Sequence, residues 1–261
     1  MFDWQIAAGA LMVLLAMSTL TWLLSLLKKD VSIVDSVWSL FFVGTLLTWW
    51  SAPDINGPRT LACLVLVGLW ALRLSGYLTW RNWGHPEDRR YQAIRARNQP
   101  HYELKSLVIV FALQAGLAWW IALPILPVLK SAQPWQWLDT LGALIFITGL
   151  VIETLADVQM AAFKARPKDS DSVLNTGLWR YSRHPNYFGE AVVWWGFYLM
   201  TVSAGAPFWL VTSPLLINFL LVKVSGVPLL EQDLAERRPA YRDYIQNTSA
   251  FIPRPPRNSQ A

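Results

Sequence analysis

Charge is scarce in this chain. Only 15% of its 261 residues are Asp, Glu, Lys or Arg, against roughly 25% in an ordinary soluble domain. A water-exposed globule of this length needs more polar surface than that, so the soluble class is excluded. Cysteine is nearly absent too. The single Cys63 sits in an apolar run and leaves no intramolecular disulfide, and with 3 His there is no Cys/His cluster at metal-ligand spacing. No basic residue precedes the first apolar run; Asp3 stands there instead. A cleavable leader starts with positive charge and has a shorter apolar core. The stretch 4–27, closed by Lys28 and Lys29, therefore reads as a membrane helix.

What the chain has in excess is apolar and aromatic residues: 54% are hydrophobic and 16 are Trp. Rings in such number suit the two membrane interfaces. About 20 apolar residues cross the hydrocarbon core, and runs near that length fall at 4–27, 33–50, 60–80, 107–129, 136–160, 189–203 and 207–227. Pro207 restricts the sixth to a break before the seventh. The expected fold is all-α and polytopic, with about seven spans. Of the 22 Lys and Arg, all but Arg59, Arg73, Lys130 and Lys223 fall in segments 28–30, 81–106, 161–188 and 228–261. Positive residues stay on the cytosolic side, which predicts an N-terminus outside and a C-terminus inside. The net charge of +5 is thus accounted for by topology, and nucleic acid is excluded as a partner.

Ionisable residues inside spans are costly and mark function by default. They are Asp35, Arg73, Glu153, Asp157 and Glu190, with Lys223 near an end. The predicted orientation puts all five in the cytosolic half, while the outer half of those helices is expected to hold no charge. Glu153 and Asp157, four apart, share a helix face. Four carboxylates around one Arg gain nothing by burial alone. A pocket open to the cytosol, filled by a polar cofactor and approached by a greasy substrate from the bilayer, gives them a purpose.

The most specific stretch is GLWRYSRHPNYFGE, from Gly177 to Glu190. Arg180 and Arg183 are forks that suit phosphate, and the Tyr and Trp faces can stack a flat ring. Pro185 and Gly189 shape the turn into a helix whose first N–H groups favour an anion. Asn186 and Glu190 fit an amide-binding pair; the plainer reading of the stretch is a basic interfacial anchor.

These residues resemble the steroid 5-alpha-reductase family in its bacterial branch, related to sterol reductases and isoprenylcysteine methyltransferases. The likeness runs from Asp35 to Pro256 and is best in the second half: Glu153 and Asp157, Lys164, the Gly177–Glu190 stretch, Trp194, and Arg238 through Tyr241 and Pro253. It implies a seven-helix membrane enzyme that holds NADPH on its cytosolic side and reduces a double bond conjugated to a ketone in a lipophilic substrate. Residues 1–106 then carry the substrate side and 107–261 the cofactor, in one domain, in a bacterial inner membrane. Asp157, Lys164, Tyr181, Asn186, Glu190 and Trp194 are expected to line the cofactor site, with Glu153, Arg180, Arg183, His184, Tyr187 and Tyr241 beside them. Arg73, Arg81 and Asn82 are expected to reach its phosphates. The family's substrate-side Glu is replaced by Asp35, and its helix-three Tyr by Trp70, so Tyr77 and Tyr91 are the substitutes. Asp35 would donate if protonated. The rival is a membrane methyltransferase using S-adenosylmethionine, and a lipid-binding scaffold is a third class.

Overall fold

A computed structural model of the chain describes residues 2–52, 57–166, 171–224, 226–227, 231 and 238–257, and helices are the only regular elements among them. In chain order they are α1 (Trp4–Lys28), α2 (Ile33–Trp50), α3 (Thr60–Asn82), the short α4 (Arg89–Arg97), α5 (Tyr102–Ala122), α6 (Ile125–Lys130), α7 (Trp137–Ala165), α8 (Pro185–Ser203), α9 (Phe208–Val224) and α10 (Ala240–Asn247). Five of these, α1, α2, α3, α5 and α7, are long and apolar enough to cross a membrane. The chain is an integral membrane protein by this measure. Helices α8 and α9 stand where the sixth and seventh runs were expected but fall short of that standard. Asn186, Glu190 and two Trp dilute α8, and α9 is short. The fourth run also differs: it starts earlier, at Tyr102, and stops at Ala122. Pro124, which cannot continue a helix, separates it from α6.

Local chemistry sets the ends. The Asp3 carboxylate accepts from the Ile6 amide at 3.1 Å and so caps α1. At the other end Lys29 turns left-handed (φ 54°) and its N–H bonds Leu26, with Lys28 set favourably against the helix dipole.

The contacts divide the chain into two compact units: residues 1–139 with 200–213, and residues 140–199 with 214–261. In the first, α2 is packed by α1, α3 and α5. Phe42 and Trp70 meet edge to face at 5.1 Å between centroids, and Trp38 joins them. Indole and hydroxyl groups satisfy themselves on neighbouring backbones. Trp49 donates to Ile6 O at 2.9 Å, Ser39 to Ala71 O at 2.8 Å and Ser75 to Ser36 O at 2.7 Å. Within α5, residues Leu107–Ala112 form a π turn, which inserts a residue and re-aims the remainder of the helix.

The first unit also holds an ion pair that corrects one expectation. Arg59 grips Asp139 with two bonds of 2.7 Å, and both side chains are wholly buried. The guanidinium also donates to Gln133 O at 2.7 Å and Pro134 O at 3.1 Å, and Ser203 donates to Asp139 at 2.8 Å. The expected charge-free ends are not found, because Asp139 sits in the first turn of α7, away from Asp157.

In the second unit, α7 and α8 approach at glycines. A Cβ on Gly189 would meet Glu153 N at 2.6 Å and Gly149 O at 2.7 Å. One on Gly196 would meet Phe146 N at 2.4 Å and Gly142 O at 2.7 Å. Backbone against backbone is possible here only because those side chains are missing. This seam brings the carboxylates of α7 to the polar start of α8.

Candidate functional site

The seam in the second unit sets Glu153 and Asp157 of α7 beside Asn186, Glu190 and Trp194 of α8. Glu153, Asp157, Glu190 and Trp194 are all buried. Asn186 donates its amide N–H to Asp157 at 3.2 Å, which orients the side-chain amide. Its oxygen is enclosed and has no hydrogen-bond partner, an arrangement native proteins rarely leave unused.

The Gly177 turn (φ 61°) sets the strip that follows it against α7. Its Cβ position is occupied by the Gln159 side chain, whose oxygen accepts from Leu178 N at 3.0 Å. Trp179 donates to Ala156 O at 3.1 Å. Arg180 and Tyr181 come out of this turn exposed, and Lys164 is exposed near the end of α7.

Arg183 does not offer the open phosphate fork expected of it. It pairs with Glu231 through Nε at 2.8 Å and Nη2 at 3.0 Å, and Nη1 donates to Thr248 O at 2.6 Å and Ile245 O at 3.1 Å. That commits the guanidinium to holding the C-terminal segment. His184 Nε2 is 2.8 Å from the same carboxylate, Tyr241 OH donates to it at 3.2 Å, and Tyr187 stacks on His184. Burial pushes Glu231 upward, but its bonds to His184 and Arg183 and their charges prevail, bringing it down to about 2. Burial, then the Glu231 charge, drives Tyr241 well above the ordinary phenol value. His184, Arg183 and Tyr241 thus form a clamp on Glu231.

In the first unit, Asp35 opens α2 and meets α4. Arg90 Nη2 is 2.6 Å from Asp35 Oδ2, and Tyr91 OH donates to Oδ1. Gln114 of α5 donates to the Tyr91 oxygen at 3.0 Å. Arg90 is shared with Asp88 at 3.0 Å. Burial opposes the Arg90 charge, but Asp35 and Asp88 outweigh it, so the cation is held more firmly. Burial and the Asp35 charge raise the Tyr91 phenol well above its usual range. Asp35 thus meets a cation on one oxygen and a phenol hydroxyl on the other. The segment is tied down by Glu87 as well, which accepts from Val31 N at 2.9 Å and pairs with Arg95 at 2.9 Å.

Tyr77 lies under the Arg81 guanidinium (5.8 Å to the ring centroid), and Arg81 Nε donates to Asn82 at 3.1 Å. Arg73 is half-buried on α3. Trp70, in place of the expected Tyr, is taken up by the aromatic cluster with Phe42. Reading the sequence missed Arg90, Gln114, Gln159 and Glu231. Gln114 had a signal, as a lone amide in an apolar run. Glu231 had none that separates it from neighbouring charges.

Long apolar helices with acidic and amide side chains buried at helix ends define a polytopic α-helical membrane protein with a polar site. The chain belongs to the family described as Protein of unknown function (DUF1295), whose sequence model matches residues 21–248. An uncharacterised protein of Schizosaccharomyces pombe, C594.04c, is 26% identical over 89% of this chain and 75% of its own length. Steroid 5-alpha-reductase DET2 of Arabidopsis thaliana is 35% identical over 29% of each chain. Protein-S-isoprenylcysteine O-methyltransferase of Dictyostelium discoideum is 25% identical over 48% of this chain and 51% of its own. The relatives with named activities are thus enzymes of a reductase and a methyltransferase class, aligned over 29% to 51% of their lengths. No solved structure matches. Among the described residues, no three His, Cys, Asp or Glu gather as a metal site.

Proposed function

We propose that the chain is a membrane-embedded reductase that uses NADPH to saturate a carbon–carbon double bond conjugated to a ketone in a lipophilic, steroid-like or isoprenoid substrate. The carrying observation is Asn186: its N–H is committed to Asp157 at 3.2 Å, while its enclosed oxygen has no partner. An oriented amide acceptor of this kind fits a carboxamide such as that of nicotinamide. Leaving it unfilled would cost about 1–3 kcal/mol.

In this reading Asn186 accepts from the carboxamide, Asp157 fixes the Asn186 rotamer, and Glu153, Glu190 and Trp194 line the same polar pocket. Tyr181, Arg180 and Lys164, all exposed, lie within reach of a soluble cofactor's charged end. The resemblance assigns the phosphates to Arg73, Arg81 and Asn82. Bound NADPH supplies a hydride. The resemblance assigns the proton donor to Asp35, Tyr77 or Tyr91, and a donor placed in advance at the growing negative charge is usually the largest catalytic contribution. We take the whole chain as one reductase domain with seven spans, in a bacterial inner membrane, its N-terminus outside and its C-terminus cytosolic.

The Dictyostelium relative supports a second reading, methyl transfer from S-adenosylmethionine. One experiment separates the two. Protein purified in detergent is titrated with NADPH and with S-adenosylmethionine, then given a panel of enones and isoprenoid acceptors. NADPH fluorescence enhancement with enone-dependent oxidation supports the reductase. Binding of S-adenosylmethionine alone overturns it.

A further inference from the structure

We propose that the ends of α1 and α3, where Lys28 meets Trp83, form a binding site for the headgroup of an anionic phospholipid. The site does not depend on the reductase reading. Lys28 and Lys29 close α1, and the left-handed turn at Lys29 (φ 54°) ends the helix at that level. Trp83 follows directly on α3. Lys28 Nζ lies 5.8 Å from the centroid of its ring, where the indole face attracts an ammonium. Both helices are long and apolar enough to cross a membrane. Their ends therefore reach the headgroup layer, where Trp rings and the tips of Lys side chains settle.

Hydrogen bonds fasten the two chain segments to each other. Glu87 accepts from Val31 N at 2.9 Å, and Ser32 Oγ accepts from Asp88 N at 3.3 Å. The turn after α1 is thus tied to the segment after α3. The acids nearby are spent on other partners. Glu87 pairs with Arg95 at 2.9 Å and Asp88 with Arg90 at 3.0 Å, while Asp30 accepts from Ser32 N at 2.8 Å. Lys28, Lys29 and the exposed Arg89 are paired with no carboxylate among the described residues. An anion is the complement this spot calls for.

Orienting a helix in a membrane requires only positive charge, free in water. Here the charge adjoins exposed apolar side chains, which favour a lipid over a soluble anion. Leu24 and Leu27 lie exposed on α1 just before the Lys pair, Leu27 at 82%; Trp80 and Trp83 are exposed at the end of α3, Trp83 at 75%. A headgroup phosphate that accepts from the two ammonium groups leaves its acyl chains to run along these side chains. A free phosphate gains nothing from them. Each basic residue beside an anionic lipid surface strengthens binding by about five-fold.

The test uses full-length protein in phosphatidylcholine vesicles with a trace of phosphatidylglycerol bearing a photoreactive headgroup, followed by peptide mapping. Label should fall on the segments around Lys28 and Trp83. Unlabelled phosphatidylglycerol should compete for it; added phosphatidylcholine and inorganic phosphate should not. A Lys28→Gln, Lys29→Gln variant should lose labelling by about ten-fold or more, with Tm in detergent unchanged, and Lys28→Arg, Lys29→Arg should keep it. Trp83→Leu, which leaves both charges, should lose about two- to five-fold. Equal labelling by a photoreactive phosphatidylcholine, label confined to other segments, or undiminished labelling of the Gln variant overturns the proposal. Competition by inorganic phosphate overturns it as well, in favour of a soluble anion. If the Gln variant does not insert, the competition on wild-type protein decides alone.

Discussion

Placing a methyl group on Gly189 asks two helix backbones to part. The new Cβ would lie 2.6 Å from Glu153 N, 2.7 Å from Gly149 O and 2.9 Å from Glu153 Cα. All three are backbone atoms, so no rotamer change relieves the clash. Ordinary contact begins near 3.4 Å, and α7 and α8 must separate by about 0.8 Å. Overpacking of this kind costs about 1–3 kcal/mol, offset in part by roughly 1 kcal/mol of better helix propensity. We expect Gly189→Ala to destabilise by about 1–2 kcal/mol, or roughly 2–4 °C in Tm per kcal/mol for a chain of this size. The same shift stretches the 3.2 Å Asn186–Asp157 bond to about 4 Å, beyond hydrogen-bonding range. NADPH affinity should fall with it. The assay is thermal unfolding in detergent alongside fluorescence titration with NADPH. Gly68→Ala and Gly76→Ala, where nothing lies within 4 Å of the new atom, are the controls and should be neutral or slightly stabilising. A Gly189→Ala protein as stable as these controls would refute the seam.

The buried ion pairs and the enclosed amide lead to further expected outcomes. Arg59→Met leaves Asp139 charged and buried, which should cost about 3–5 kcal/mol; an Arg59→Met, Asp139→Leu double variant should recover most of that loss in thermal unfolding. Glu231 titrates at about 2 in the folded chain against an ordinary 4.5. A lowered carboxylate stabilises fully above its unfolded value, and that stability is lost as pH falls from 4.5 towards 2. Glu231→Gln should be less stable at neutral pH and flatter over that acid window, read as Tm against pH. Asn186→Leu should weaken NADPH binding by roughly ten-fold or more, given about 1–3 kcal/mol per buried polar partner, with little change in Tm.

Local pattern was enough for the five long apolar helices, because apolar length and end residues such as Asp3 and Lys28 act within a turn or two. It also reached Asp157, Asn186 and Asp35, since a polar group in an apolar run stands out whatever its partner. Long-range pairing was hidden. Arg59 and Asp139 are 80 residues apart, and each reads alone as a loop-end charge. Arg90 sits in a segment dense in charged and polar residues, so nothing marks it as the one that reaches α2. Arg183 was legible as a fork and misjudged in use, because its carboxylate lies 48 residues away.

The π turn at Leu107–Ala112 makes the chain sensitive to counting. An α-helix advances on the order of 100° per residue, and the turn holds one residue beyond the regular number. Dropping a single residue from that stretch would close the wide turn to an ordinary one and leave Gln114 on its present face, because the turn already absorbs the extra residue. An insertion there, with no wide turn left to take it up, would swing Gln114 aside by about that angle and cost Tyr91 one of its two side-chain partners.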